Sequence, residues 1–130
     1  MLSVRNLGFS YNKNKVFKDV NFDVFKGQCF VLTGASGSGK STLLKIINGI
    51  IPEINDGEVT GEIKLDEQTL NDKGIADRSA YVSTVFQNPK TQFFCVESTD
   101  ELAFPLENRN IPKEAIIKSI EEYTRLLNTE

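Results

Sequence analysis

Cysteine is scarce in this 130-residue sequence: Cys29 and Cys95 are the only two, and they show neither C-x-x-C nor metal-ligand spacing. Cys29 lies within an apolar run, which argues for a free thiol in a reducing compartment, and so for the cytoplasm. Long hydrophobic runs are also missing. None approaches the ~18 residues of a membrane span, and Met1-Leu2-Ser3-Val4-Arg5 has no signal-peptide core, so any membrane role is expected to be peripheral. There is no basic excess: 15 Lys and Arg stand against 18 Asp and Glu, a net charge of −3, which argues against a nucleic-acid partner. No repeat or low-complexity segment interrupts the chain. With 39% hydrophobic and 25% charged residues, its composition is that of one ordinary globular domain and not of a disordered tail.

What is present centres on Gly34-Ala35-Ser36-Gly37-Ser38-Gly39-Lys40-Ser41-Thr42, a G-x-x-x-x-G-K-S phosphate-binding loop pattern. Its glycines let the backbone turn tightly and bring successive N–H groups onto one concave surface that can surround phosphate oxygens. Lys40 adds a point charge for the β- and γ-phosphates, and the Ser41 hydroxyl is placed to ligate a Mg²⁺ shared with them. Before the loop, Cys29-Phe30-Val31-Leu32 reads as a strand over 29–33 buried on both faces. After it, Leu43, Ile46, Ile47 and Ile50 recur at helical spacing, so the loop opens a helix whose N-terminus favours phosphate. A bare glycine-rich turn is the plain alternative, but the pattern arises by chance in fewer than roughly one in a hundred chains this long. A dinucleotide G-x-G-x-x-G read from Gly37 fails at Thr42, where Gly or Ala is needed.

Along the chain, Leu2, Val4, Leu7, Phe9 and Tyr11 form two alternating runs broken near Arg5-Asn6, an opening strand that ends at Tyr11. Asn12–Lys15 is a polar turn, and Val20, Phe22 and Val24 continue an antiparallel pair. The helix after the loop should stop near Asn48-Gly49, ahead of Pro52. Gly57 and Gly61 read as turns around Glu58-Val59-Thr60, with a further strand over Glu62–Asp66 and a loop over 67–79. Tyr81–Phe86 is β-prone and is expected to be a strand delivering Gln87 to its end. Ser98-Thr99-Asp100-Glu101 fits a capping box opening a short helix that Pro105 limits or kinks. Ile116, Ile120, Tyr123 and Leu127 mark an amphipathic helix over 112–128.

The aromatic at the end of the first strand, the phosphate loop and Val85-Phe86-Gln87-Asn88-Pro89 together resemble the ATP-binding cassette ATPases, over nearly the whole chain. The resemblance implies an α/β P-loop NTPase core with an N-terminal antiparallel β-subdomain, over 1–86. It also implies the Q-loop and first helices of the helical subdomain, over 87–130. It places Tyr11 where an aromatic stacks on adenine, a contact worth about 1–3 kcal/mol because any base offers a π-face. Residues 34–42 match the ATP-binding loop, and Gln87 matches the glutamine that reaches Mg²⁺ and the attacking water. By themselves, Tyr11 is a strand-end aromatic and Gln87 a solvated side chain; the surrounding pattern carries their assignment. Asn88–Phe94, with Asp100–Phe104 and Leu106-Glu107-Asn108, is more narrowly similar to the energy-coupling-factor importer ATPases. The implied partners are ATP, an integral membrane transporter subunit and a second cassette ATPase, identical or not, with the chain peripheral at the inner face of the membrane. Phe93, Phe94 and Phe104 are core by default; in the family this segment lies near the groove that receives the membrane partner.

The departures are as informative. No L-S-G-G-Q-like signature, no apolar strand ending in Asp-Glu and no histidine is present. In the family these lie C-terminal to the helical subdomain, so the expectation is that the C-terminal half of the domain is absent, the cassette being cut at Glu130, and that residues 1–130 alone are catalytically incomplete. Two other classes remain: a non-enzymatic nucleotide-binding or regulatory fragment, and a soluble P-loop ATPase or kinase. The kinase would be favoured by acceptor-binding arginines, and only Arg5, Arg78, Arg109 and Arg125 are present.

Overall fold

In the computed structural model, residues 1–128 are described. They divide into two compact units, Met1–Thr84 and a second from Val85 onward. The first unit is α/β. Its sheet runs β2-β1-β3-β4, all antiparallel, from β1 (Leu2–Tyr11), β2 (Asn14–Val24), β3 (Glu58–Leu65) and β4 (Gln68–Thr69). The β1–β2 hairpin closes on Asn12 and Lys13, both at positive φ (44° and 70°), as a two-residue turn matching strand twist demands.

The break at Arg5-Asn6 is a bulge. Asn6 has φ 50° and the register of β1 with β2 shifts between Val4 and Leu7. The extra residue reverses the alternation, so that Val4 and Leu7, three apart, both face the core together with Phe9. The bulge crosses the sheet: Asn21 accepts the Asn6 N–H at 2.8 Å. On the other side Gly61 takes φ 90°, where a Cβ would lie 2.4 Å from the Asn6 carbonyl oxygen. Contrary to the turn expected there, Gly61 ends no strand but lets β3 run unbroken from Glu58 to Leu65 beside the bulge.

One face of the sheet packs on α1 (Lys40–Ile47) and α2 (Ile50–Glu53). Val4, Leu7, Phe9 and Ile63 from the sheet meet Leu43, Ile46, Ile47 and Ile51, with Leu70 closing the cluster. The buried positions 43, 46 and 47 are the apolar stripe read from the sequence. Gly49, at φ 91°, ends that stripe, and Ile50 begins a separate short helix. The expected loop over 67–79 holds β4 and α3 (Ile75–Arg78).

Two expected strands do not form. Residues 29–33 and 81–86 form no strand among the described residues, and most of their apolar side chains are exposed, Val31 at 73% and Val85 at 80%, while Val82 is half-buried against the core. Apolar residues favour burial, but a strand exists only with a neighbour to share its ladder, so the strands expected at 29–33 and 81–86 are absent. Cys29 is accordingly exposed and not buried; both cysteines are free. The Phe30 ring stacks on Phe22 at 5.0 Å.

The second unit contains a 3₁₀ turn (Pro89–Gln92) and two packed helices, α4 (Ser98–Glu107) and α5 (Lys113–Leu127). The expected capping box is not made. Ser98 is already helical and Glu101 instead turns back to accept the N–H groups of Phe94 (2.9 Å) and Cys95 (2.8 Å). These bonds hold the Glu101 carboxyl below its ordinary pKa. Burial, and then the neighbouring Glu101 charge, pushes the Cys95 thiol up. Pro105 sits inside α4 without ending it. Phe94 stacks on Phe104 at 5.7 Å yet stays 83% exposed, so with Phe93 these rings are surface and not core. Among the described residues no helix is long and apolar enough to cross a membrane.

Candidate functional site

The loop over 34–42 is built as its spacing requires. Gly34, Gly37 and Gly39 all have positive φ (152°, 80° and 91°), a backbone path that side chains with a Cβ rarely follow. Ser38 N–H donates to the Ala35 carbonyl at 3.2 Å, closing the turn, and Gly39 then caps α1, whose first intrahelical bond runs from Leu43 N–H to the Gly39 carbonyl at 2.8 Å. No acidic residue stands in the first turn of α1 to compete for its exposed N–H groups. Lys40 curls back over the loop, and its Nζ donates to the carbonyls of Gly34 and Ala35, both at 2.7 Å, and to Ser38 Oγ at 3.3 Å. Ser36 and Ser41 are exposed, and Thr42 is half-buried at the start of the helix. This combination of turned amides, a helix N-terminus and a tethered ammonium suits a polyphosphate.

A divalent cation has less to hold it. Among the described residues no cluster of three His, Cys, Asp or Glu could bind a metal, so an ion here would need phosphate oxygens beside the Ser41 hydroxyl. That donor set fits Mg²⁺, which keeps few protein ligands when phosphates supply the others.

Tyr11 joins the loop through packed rings. It is 38% exposed at the end of β1 and meets Phe9 edge-on at 4.5 Å. Phe9 lies 6.1 Å from Phe17, and Phe17 in turn covers Gly39, where a Cβ would fall 2.9 Å from Phe17 Cδ1. The half-exposed ring of Tyr11 is thus carried on the same β1–β2 hairpin that buttresses the loop. Gln87 belongs to the second unit, exposed in the irregular segment before the 3₁₀ turn, where Phe86 N–H donates to Gln92 Oε1 at 2.9 Å.

Sequence reasoning passed over Arg78, noting it only as one of four arginines. It is buried at 3% exposure and donates only to backbone carbonyls, including those of Ile46 (2.6 Å) and Ile47 (3.2 Å) at the end of α1. No local pattern signals this, because the α1 carbonyls it bonds lie some thirty positions earlier and are main chain.

Comparison with known proteins bears on the same residues. An ABC transporter ATP-binding protein of Treponema denticola is 42% identical over 100% of this chain and 27% of its own length. The energy-coupling factor transporter ATP-binding protein EcfA1 of Lacticaseibacillus paracasei is 39% identical over 94% of the chain and 43% of its own length. The HMP/thiamine import ATP-binding protein YkoD of Bacillus subtilis is 39% identical over 92% of the chain and 22% of its own length. The chain therefore spans between about a fifth and under half of these relatives. The sequence profile of the ABC transporter family matches residues 17–128, taking in both the glycine-turned loop with its tethered lysine and the segment around Gln87, and the chain belongs to that family.

Proposed function

We propose that this chain is the nucleotide-binding portion of an ATPase subunit that powers a membrane importer of the energy-coupling-factor type. The observation that carries the reading is the Lys40 ammonium held on the carbonyls of Gly34 and Ala35, in a loop whose three glycines all take positive φ. In this reading Gly34–Gly39 surround the β-phosphate with backbone N–H groups, Lys40 exchanges its carbonyl partners for β- and γ-phosphate oxygens, and Thr42 and the first turn of α1 complete the cradle. The Ser41 hydroxyl would ligate Mg²⁺ beside the phosphate oxygens, and Gln87 is proposed, from its match to the family's glutamine, as the residue that would reach the metal and the attacking water. Bound Mg²⁺ supplies charge neutralisation between the phosphates. Tyr11 stacks on adenine.

The importer type is supported by the likeness to EcfA1 and by the segment 88–108. The exposed Phe93 and Phe94, with Phe104, are proposed to meet the integral membrane subunit, which would hold the chain at the inner face of the membrane. A second cassette is proposed to pair with this one. Hydrolysis needs a general base and compensation of γ-phosphate charge, and these 130 residues contain no histidine and no apolar strand ending in Asp-Glu. Residues 1–130 are therefore expected to bind ATP without releasing phosphate above background. Calorimetric titration tests this: Mg-ATP should bind the chain, and Lys40→Ala should weaken binding at least tenfold, about 1.4 kcal/mol or more. Equal affinity in the variant would remove the phosphate-loop assignment.

A further inference from the structure

We propose that Arg78 is a positioning residue for the phosphate loop: it anchors the far end of α1, and through that rigid helix fixes where Lys40 and the loop amides point. The proposal rests on the nucleotide reading above. Arg78 is the one buried charged side chain among the described residues, and its four acceptors are all backbone carbonyls. Two, Ile46 and Ile47, belong to the last turn of α1; Nε donates to Lys73 at 2.7 Å and Nη2 to Asn71 at 3.4 Å. The last carbonyls of a helix lack intrahelical donors and carry its negative end, so a guanidinium there is held by both hydrogen bonds and the helix dipole. Burying a charge costs free energy that a plain apolar residue would not incur. What the guanidinium adds over an apolar side chain is direction, since its planar fork ties two elements at defined angles.

The surroundings are shaped to this bond. At Gly49, φ 91°, a Cβ would stand 3.0 Å from Arg78 Cδ, so the turn after α1 leaves room for the side chain. Glu53 of α2 accepts the Ile75 N–H at 2.6 Å, fastening the start of α3 while Arg78 fastens its end. Burial lowers the Arg78 pKa and the Glu53 charge opposes that, which favours the charged form. Lys40 begins α1 and the anchored carbonyls end it, over eight residues. A helix of that length is about 12 Å long, so a tilt of roughly 10° at the anchored end displaces the loop end by about 2 Å. Displacements of that size are large against the tolerance of a positioned phosphate, where about 1 Å can matter a hundredfold.

The test compares Arg78→Lys and Arg78→Met with Leu65→Ala, a β3 change outside the hairpin that buttresses the loop, chosen to lower the melting temperature comparably. Arg78→Lys keeps the charge but not the fork, and should raise the Mg-ATP dissociation constant several-fold; Arg78→Met should raise it by about tenfold or more. Leu65→Ala should leave it unchanged. Arginine variants that bind as the wild type does, or a Leu65→Ala that weakens binding equally at matched melting temperature, would overturn the proposal. If Arg78→Met does not fold, Arg78→Lys decides. Amide hydrogen exchange without nucleotide gives a separate reading: exchange over 36–42 should quicken in Arg78→Lys relative to β1 and β3, and unchanged exchange there would overturn the anchoring. Quickened exchange in a chain whose wild type binds no ATP would retain the anchor and discard the nucleotide reading.

Discussion

Replacing Gly39 by alanine puts two separable penalties on one position. At φ 91° an L-residue bears left-handed strain of about 1–2 kcal/mol. The new methyl would also lie 2.9 Å from Phe17 Cδ1 and 3.1 Å from Val16 Cγ1. Phe17 is not free to retreat, since its ring packs on Phe9 in the core, and overpacking of this kind costs about 1–3 kcal/mol. Gly37→Ala is the internal control: its φ is 80°, but a Cβ there meets nothing within 4 Å, so it bears the strain alone. Urea melts of the two variants should therefore differ by about 1–3 kcal/mol, with Gly39→Ala the less stable. Because Gly39 caps α1 beside Lys40, its variant should also bind Mg-ATP more weakly. Equal melts for Gly37→Ala and Gly39→Ala would refute the claim that the β1–β2 hairpin buttresses the loop.

Tyr11→Ala should weaken ATP binding by about 1–3 kcal/mol while Tyr11→Phe keeps most of it, measured by titration; an unchanged Tyr11→Ala would return the ring to a purely structural role against Phe9. Glu101 has a folded pKa lowered by the Cys95 and Phe94 N–H bonds, so its contribution is complete above the ordinary carboxylate value of about 4.3 and is lost as pH falls through the lower folded value. Melting temperature followed from neutral pH down to about pH 3 should fall more steeply for the wild type than for Glu101→Gln, and parallel acid limbs would contradict the assignment.

The phosphate loop was legible because its chemistry needs fixed residue types at fixed spacing, and positive-φ glycines leave few substitutes. The break near Arg5-Asn6 was legible for a related reason, since the alternation of Leu2 and Val4 with Leu7 and Phe9 changes parity there; that an extra residue makes a bulge of it is what the structure adds. Hydrophobicity alone misled at 29–33 and 81–86, because it reports a preference for burial and not the presence of a neighbouring strand. Gly61 looked like a turn because a glycine at φ 90° serves a turn or a bulge equally well; the deciding fact is the Asn6 carbonyl opposite, which local sequence does not contain. At Ser98 the capping pattern lost to a competing acceptor geometry, since Glu101 found two amide donors in the preceding segment. Arg78 was illegible for the same reason as Gly61: its role is defined by carbonyls distant in sequence.

The central claim, that residues 34–42 cradle the phosphates of ATP, is tested most directly by following backbone amide resonances during Mg-ATP addition. The account predicts that the largest shifts fall on the amides from Ser36 to Thr42, that they appear with inorganic triphosphate as well as with ATP, and that only the nucleotide also perturbs Tyr11. Saturable binding with those amides unmoved, or shifts centred on another part of the chain, would contradict it.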